Sequence, residues 1–158
     1  MRIVSGTLKG RRINPPKKLP VRPTTDRAKE ALFNILVHQY DFDNCNVLDL
    51  FSGTGSISYE FGSRGVTSIT AVDQNVGCIR FISQTATDLS LPITAVKMHV
   101  LLFLERNSNS YDFIFADPPY AFEEATYTTM INTIFEKNAL SNNGLLIVEH
   151  AEQIDLSK

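Results

Sequence analysis

Asp117-Pro118-Pro119-Tyr120 sets a carboxylate, two rigid prolines and an aromatic ring in four consecutive positions, directly after the apolar run 111–116. Prolines carry no N–H and cannot join a sheet ladder, so the carbonyls of this segment stay outside the sheet. A carboxylate oxygen of Asp117 and the Pro118 carbonyl can then accept the two N–H groups of a planar exocyclic amine, and Tyr120 offers a face on which a base stacks. Asp117, Pro118 and Tyr120 are the candidate catalytic residues. The competing reading is a rigid turn with a buried aromatic.

A second constellation lies at Asp49-Leu50-Phe51-Ser52-Gly53-Thr54-Gly55. Glycines 53 and 55 permit a tight turn and close approach of backbone to a ligand, and a helix-compatible run follows, whose first N–H groups are unpaired. The third glycine of a dinucleotide fingerprint is replaced by Ser58. Asp49 would repel a pyrophosphate but suits a ligand bearing an ammonium or sulfonium group, which favours S-adenosylmethionine. Asp73, twenty residues beyond Gly53, can accept both ribose hydroxyls. His99 and Val100 stand where an adenine edge would lie. The candidate cofactor residues are therefore Asp49, Ser52, Gly53, Gly55, Asp73, His99 and Val100; no metal-ligand spacing is present.

These residues need strand ends to hold them. Short β-prone runs at 47–50, 68–72, 93–98, 111–116 and 145–149 alternate with helical patterns at 56–63, 75–89, 100–106 and 123–137. Such alternation predicts an α/β fold, a parallel sheet with helices on both faces that binds ligands beyond the carboxyl ends of its strands. Ahead of it, Thr24, Thr25 and Asp26 announce a helix whose Ala28, Ala31, Leu32, Ile35 and Leu36 recur at helical spacing and predict its buried face. Residues 1–22 read as a hairpin and extended arm, separable from a body at 23–158.

The net charge of −2 hides an uneven distribution: residues 1–30 hold nine basic and two acidic side chains, the remainder six and fifteen. Arg2, Lys9, Arg11, Arg12, Lys17, Lys18 and Arg22 are candidates for contacting the phosphates of a nucleic acid; a solvated basic tail is the alternative. No apolar run is long enough to cross a membrane and the basic, polar N-terminus lacks the apolar region of a secretory signal, so the cytoplasm is expected. Cys45 and Cys78 then read as reduced core thiols.

VLDLFSGTG (47–55), AVDQ (71–74) and DPPY (117–120) resemble the cofactor and catalytic motifs of class I S-adenosylmethionine-dependent amino-methyltransferases, with a Rossmann-like three-layer sandwich. RIVSGTLKGRR (2–12) with RPTTDRAKEALFNIL (22–36) is similar, more narrowly, to bacterial 16S rRNA guanine-N2 methyltransferases of the RsmD type. The resemblance implies methyl transfer to the exocyclic N2 of a guanine in ribosomal RNA of the small subunit; the sequence leaves the oligomeric state open, with a monomer favoured. The resemblance also implies a mostly parallel sheet ending in a two-strand hairpin, for which the nine residues after Glu149 leave no room, and an Asp or Asn where His99 stands. DNA adenine or cytosine and protein glutamine amino-methyltransferases share DPPY-like loops. Rivals of other classes are a non-catalytic RNA-binding module and a dinucleotide-dependent oxidoreductase.

Overall fold

The computed structural model describes residues 1–19, 25–38, 40–119 and 122–149. Five strands, β1 (Asn46–Leu50), β2 (Ser68–Asp73), β3 (Ile93–Lys97), β4 (Tyr111–Ala116) and β5 (Leu140–Val148), form one sheet in the order β3-β2-β1-β4-β5. Every neighbouring pair is parallel. Helices α1 (Asp26–Val37), α2 (Ser56–Ser63), α3 (Val76–Asp88), α4 (Val100–Arg106) and α5 (Glu124–Glu136) complete the layers. The chain reverses its direction of winding between β1 and β4, so the crevice of an open α/β sheet opens beside the carboxyl end of β1.

Alternation along β1 divides the core. Leu48 and Leu50 pack with Val100, Leu104, Tyr127, Met130 and Ile134 of α4 and α5, while Val47 joins Phe33, Leu36, Ile57, Phe61 and Phe113 on the face covered by α1 and α2. A third cluster joins Ile3 and Ile13 to Tyr59, Ala71 and Ile82. No helix among the described residues is long and apolar enough to cross a membrane.

Two sequence expectations are corrected. Of the expected face of α1, Leu36 is buried and Leu32 packs half-buried beside it, but Ala28 and Ala31 are exposed and Ile35 is 61% exposed, while Lys29 and Phe33 turn inward. A lysine was not expected inside, but Lys29 is 1% exposed, and its ammonium finds the Glu60 carboxylate at 3.6 Å. That pairing turns the helix away from the stripe its aliphatic residues suggest. In addition, β5 begins at Leu140 rather than near 145, because Ser141-Asn142-Asn143-Gly144, turn-forming in composition, is accommodated as an irregularity between the pairs Tyr111–Leu140 and Phe113–Leu145.

Within residues 1–19 the chain forms a hairpin packed on the body. Arg2 and Arg12 form an antiparallel bridge, and Ile3 and Ile13 are buried at 1% and 6% exposure. The turn wraps the end of α2: Thr7 N–H donates to Ser63 O (2.7 Å), Leu8 N–H to Ser63 Oγ (3.0 Å), and Ser63 Oγ to Ser5 O (2.6 Å). A Cβ at Gly6, where φ is +91°, would stand 2.0 Å from Ser63 O.

Candidate active site

All strands run the same way, so the segments after β1, β2, β3 and β4 gather at one edge. Leaving β1, the chain passes through left-handed backbone at Phe51 (φ 57°), Gly53 (φ 57°) and Gly55 (φ 92°) before α2 starts. Phe51 carries a Cβ in that region, and strain of this kind, about 1–3 kcal/mol, is characteristic of ligand-binding turns. Its ring meets Phe122 edge-on at 5.1 Å, and Phe122 meets Tyr127 at 5.0 Å, which ties the loop after β4 to the glycine loop. Neither phenylalanine stood out in the sequence, since an isolated Phe beside a turn reads as ordinary core.

Asp73 ends β2 and reaches across to this loop: one carboxylate oxygen accepts Gly53 N–H and the other Asn75 N–H, both at 2.9 Å. Each oxygen keeps a second lone-pair site, so the half-buried carboxylate retains acceptor capacity. The β3 exit lies alongside, because Met98 N–H donates to Asp73 O at 3.0 Å. There, exposed His99 caps α4, its Nδ1 accepting Leu101 N–H at 3.2 Å, and Val100 is buried beneath it. The same cap is what an Asp or Asn would provide.

Asp49 has a different place from the one its type suggested. It is 1% exposed, and its carboxylate accepts the Ser58 hydroxyl at 2.7 Å as well as the Ser58 N–H. It therefore caps the first turn of α2 from below, where Gly55 offers no side chain. Burial pushes the carboxyl up, against the pull of the Ser58 hydroxyl; the charges of Asp73 and Asp117 push it further, to about 7. Asp49 thus supports the glycine loop from the first turn of α2.

Asp117, half-buried, and Pro118, buried, leave β4 next to β1, beside the Asp49 carboxylate. Tyr120 and Arg22 lie outside the described residues. Of the expected RNA contacts, Lys9, Arg11, Arg12, Lys17 and Lys18 are exposed, whereas Arg2 is engaged with Asp26 at 3.1 Å. Among the described residues no three His, Cys, Asp or Glu side chains are grouped to hold a metal ion. Cys45 and Cys78 are buried free thiols, and burial raises both to about 11.

The donor set fits S-adenosylmethionine. Ser52 Oγ and Ser56 Oγ, on either side of the two glycines, are buried without a hydrogen-bond partner among the described residues, a costly state that a polar ligand at the loop would relieve. Three neighbouring carboxylates, Asp49, Asp73 and Asp117, favour a sulfonium and an ammonium and disfavour a pyrophosphate.

A parallel sheet in this order, with helices on both faces and a glycine loop after β1, is the class I S-adenosylmethionine-dependent methyltransferase fold. Within it, the chain belongs to the family described as Conserved hypothetical protein 95, whose model matches residues 1–158. It is 31% identical to a candidate rRNA methyltransferase of Bacillus subtilis, over 99% of this chain and 85% of that one. It is 30% identical to Ribosomal RNA small subunit methyltransferase D of Buchnera aphidicola, over 98% and 78%. The solved structure of a candidate methyltransferase from Escherichia coli superposes with a TM-score of 0.88 at 27% identity, covering all of this chain and 84% of that one.

Proposed function

We propose that this chain methylates the exocyclic N2 of a guanine in 16S ribosomal RNA of the small subunit, in the cytoplasm, with S-adenosylmethionine as donor. The observation that carries the reading is the convergence of Asp117 and Pro118, the glycine loop and Asp73 at one edge of the sheet. The substrate follows from relatives whose name is Ribosomal RNA small subunit methyltransferase D.

Asp73, Ser52, the backbone of Gly53 and Gly55, His99 and Val100 are the residues that would hold the cofactor, which when bound supplies an activated methyl group on a sulfonium. The protein's work is on the amine. Its lone pair is delocalised into the ring, so it becomes a nucleophile only when both N–H groups are held and the lone pair is aimed. Asp117 and the Pro118 carbonyl accept those two N–H groups, and orientation of this kind is worth up to about 7–11 kcal/mol of a barrier. The Asp117 carboxylate also favours the positive charge that develops on nitrogen. Tyr120 stacks on a base extruded from its helix, since the amine is otherwise engaged in pairing. The exposed hairpin cations hold phosphates and so set the register.

The test is transfer of labelled methyl to purified 16S ribosomal RNA and to small subunits, with the product nucleoside identified by mass spectrometry. N2-methylguanine is expected. Label on adenine, cytosine or a protein amide would overturn the reading; cofactor binding without any label would favour the non-catalytic module.

A further inference from the structure

Glu60 is fully buried in α2, yet its carboxylate is the meeting point of four donors. Val4 N–H reaches one oxygen at 2.9 Å, Ser5 N–H the other at 3.1 Å and Arg64 Nε the latter at 2.8 Å, while Lys29 Nζ stands 3.6 Å from the first. Lys29 in turn donates to Arg2 O, and Arg64 lies over the Phe33 ring at 4.5 Å. Three backbone groups within residues 2–5 are thus fixed by two buried side chains of opposite charge.

We infer that Glu60 is a positioning residue for RNA, fixing the cationic hairpin relative to the cofactor loop. The inference rests on the reading of that hairpin as the RNA-binding surface. Helix α2 is the connecting rod. Its first turn grows from the glycine loop and is capped by Asp49; its second half carries Glu60 and Ser63, which hold the hairpin backbone. Eight residues rise only about 12 Å, too short a span to bend appreciably. Lys9, Arg11 and Arg12 therefore stand on a surface whose distance from the methyl-transfer site is set by one short helix. Burying charge is a poor means of gaining stability, because apolar side chains of the same volume often do as well. It is a good means of selecting one geometry, since a shifted hairpin deprives the buried carboxylate of its two backbone donors and Lys29 of its carbonyl acceptor.

The test compares Glu60→Gln, Gly6→Ala and the triple variant Lys9→Ala/Arg11→Ala/Arg12→Ala in the full chain. Glu60→Gln turns an amide N–H₂ toward existing donors, and Gly6→Ala drives a Cβ into Ser63 O from the hairpin side. Both are expected to weaken binding to 16S ribosomal RNA by on the order of tenfold per displaced phosphate contact. The salt slope should become shallower by about 0.7 per contact. Affinity for S-adenosylmethionine should be unchanged, and KM for RNA should rise while kcat at saturating RNA is retained. If the triple variant loses RNA affinity while the other two, folded, keep it, the positioning role is wrong and the RNA surface stands. If the triple variant binds RNA as the unmodified chain does, the RNA-surface reading itself fails. Should Glu60→Gln not fold, Gly6→Ala decides; loss of cofactor binding in both variants would mark Glu60 as purely structural and overturn the proposal.

Discussion

Asp49 carries two consequences that its position in the loop sequence did not reveal. Its carboxyl is raised in the folded chain to about 7 from an ordinary 3.8, so between those values the native state holds a proton that the unfolded chain has released. The linked stability is complete below about pH 4 and is lost as the pH rises toward 7. Asp49→Asn, neutral throughout, removes that dependence. Thermal unfolding without ligand at pH 4.5 and pH 7.5 should show the variant gaining on the parent at the higher pH; parallel pH responses would refute the burial argument. Asp117 is expected to act late in the reaction coordinate. Asp117→Ala should weaken cofactor binding only a few-fold while lowering the methyl-transfer rate by about a hundredfold or more, as for other groups that stabilise developing charge. Tyr120→Ala should impair placement of the base and Tyr120→Phe much less, since stacking needs only the ring. A cofactor titration beside a single-turnover rate measurement separates these effects.

At the level of elements, the short helix α2 bears the most. Gly55 is its N-cap with φ +92°, and a Cβ there would lie 2.7 Å from Tyr59 Cζ and 3.0 Å from Ile82 Cγ1. Gly55→Ala meets both a backbone penalty of roughly 1–2 kcal/mol and a clash inside a packed cluster. We expect a lowered melting temperature together with weakened S-adenosylmethionine binding, because relief of the clash has to move the loop. Unaltered affinity in a destabilised variant would separate the glycine from the cofactor site. The opposite end of the element scale is α1, where the helix was legible from its cap and period but its rotation was not. Thr25 accepts Ala28 N–H at 3.1 Å, as its type suggests. The inward turn of Lys29 depends on Glu60, thirty-one residues away, and no local pattern contains that partner.

For the molecule as a whole, the docked hairpin changes what truncation should do. On the sequence reading, removing residues 1–20 leaves a folded body without its basic arm. The structure instead predicts a damaged body, since Ile3 and Ile13 leave the core, each worth about 1.5–3 kcal/mol, and Glu60 and Lys29 lose their backbone partners. Circular-dichroism melting of the truncated chain should show a large drop, and S-adenosylmethionine binding should fall with it. An unchanged melt and intact cofactor affinity would restore the separable arm.

By itself the sequence determined the order of strands and helices along the chain, the glycine turn after β1 and the acidic residues at the ends of β2 and β4, because period, turn chemistry and proline act over a few residues and are written in consecutive positions. The surplus of cations in residues 1–30 was equally plain. Only the tertiary structure decided that Asp49 supports α2 from beneath, that the Ser52 and Ser56 hydroxyls are buried without a partner among the described residues, that Phe51 meets Phe122, and that Glu60 gathers Val4, Ser5, Lys29 and Arg64. Most of these contacts join residues far apart in the chain, where burial multiplies the cost of an unpaired charge or hydrogen-bonding group and so selects one arrangement from many. A sequence displays each group; the low-dielectric interior chooses its partner.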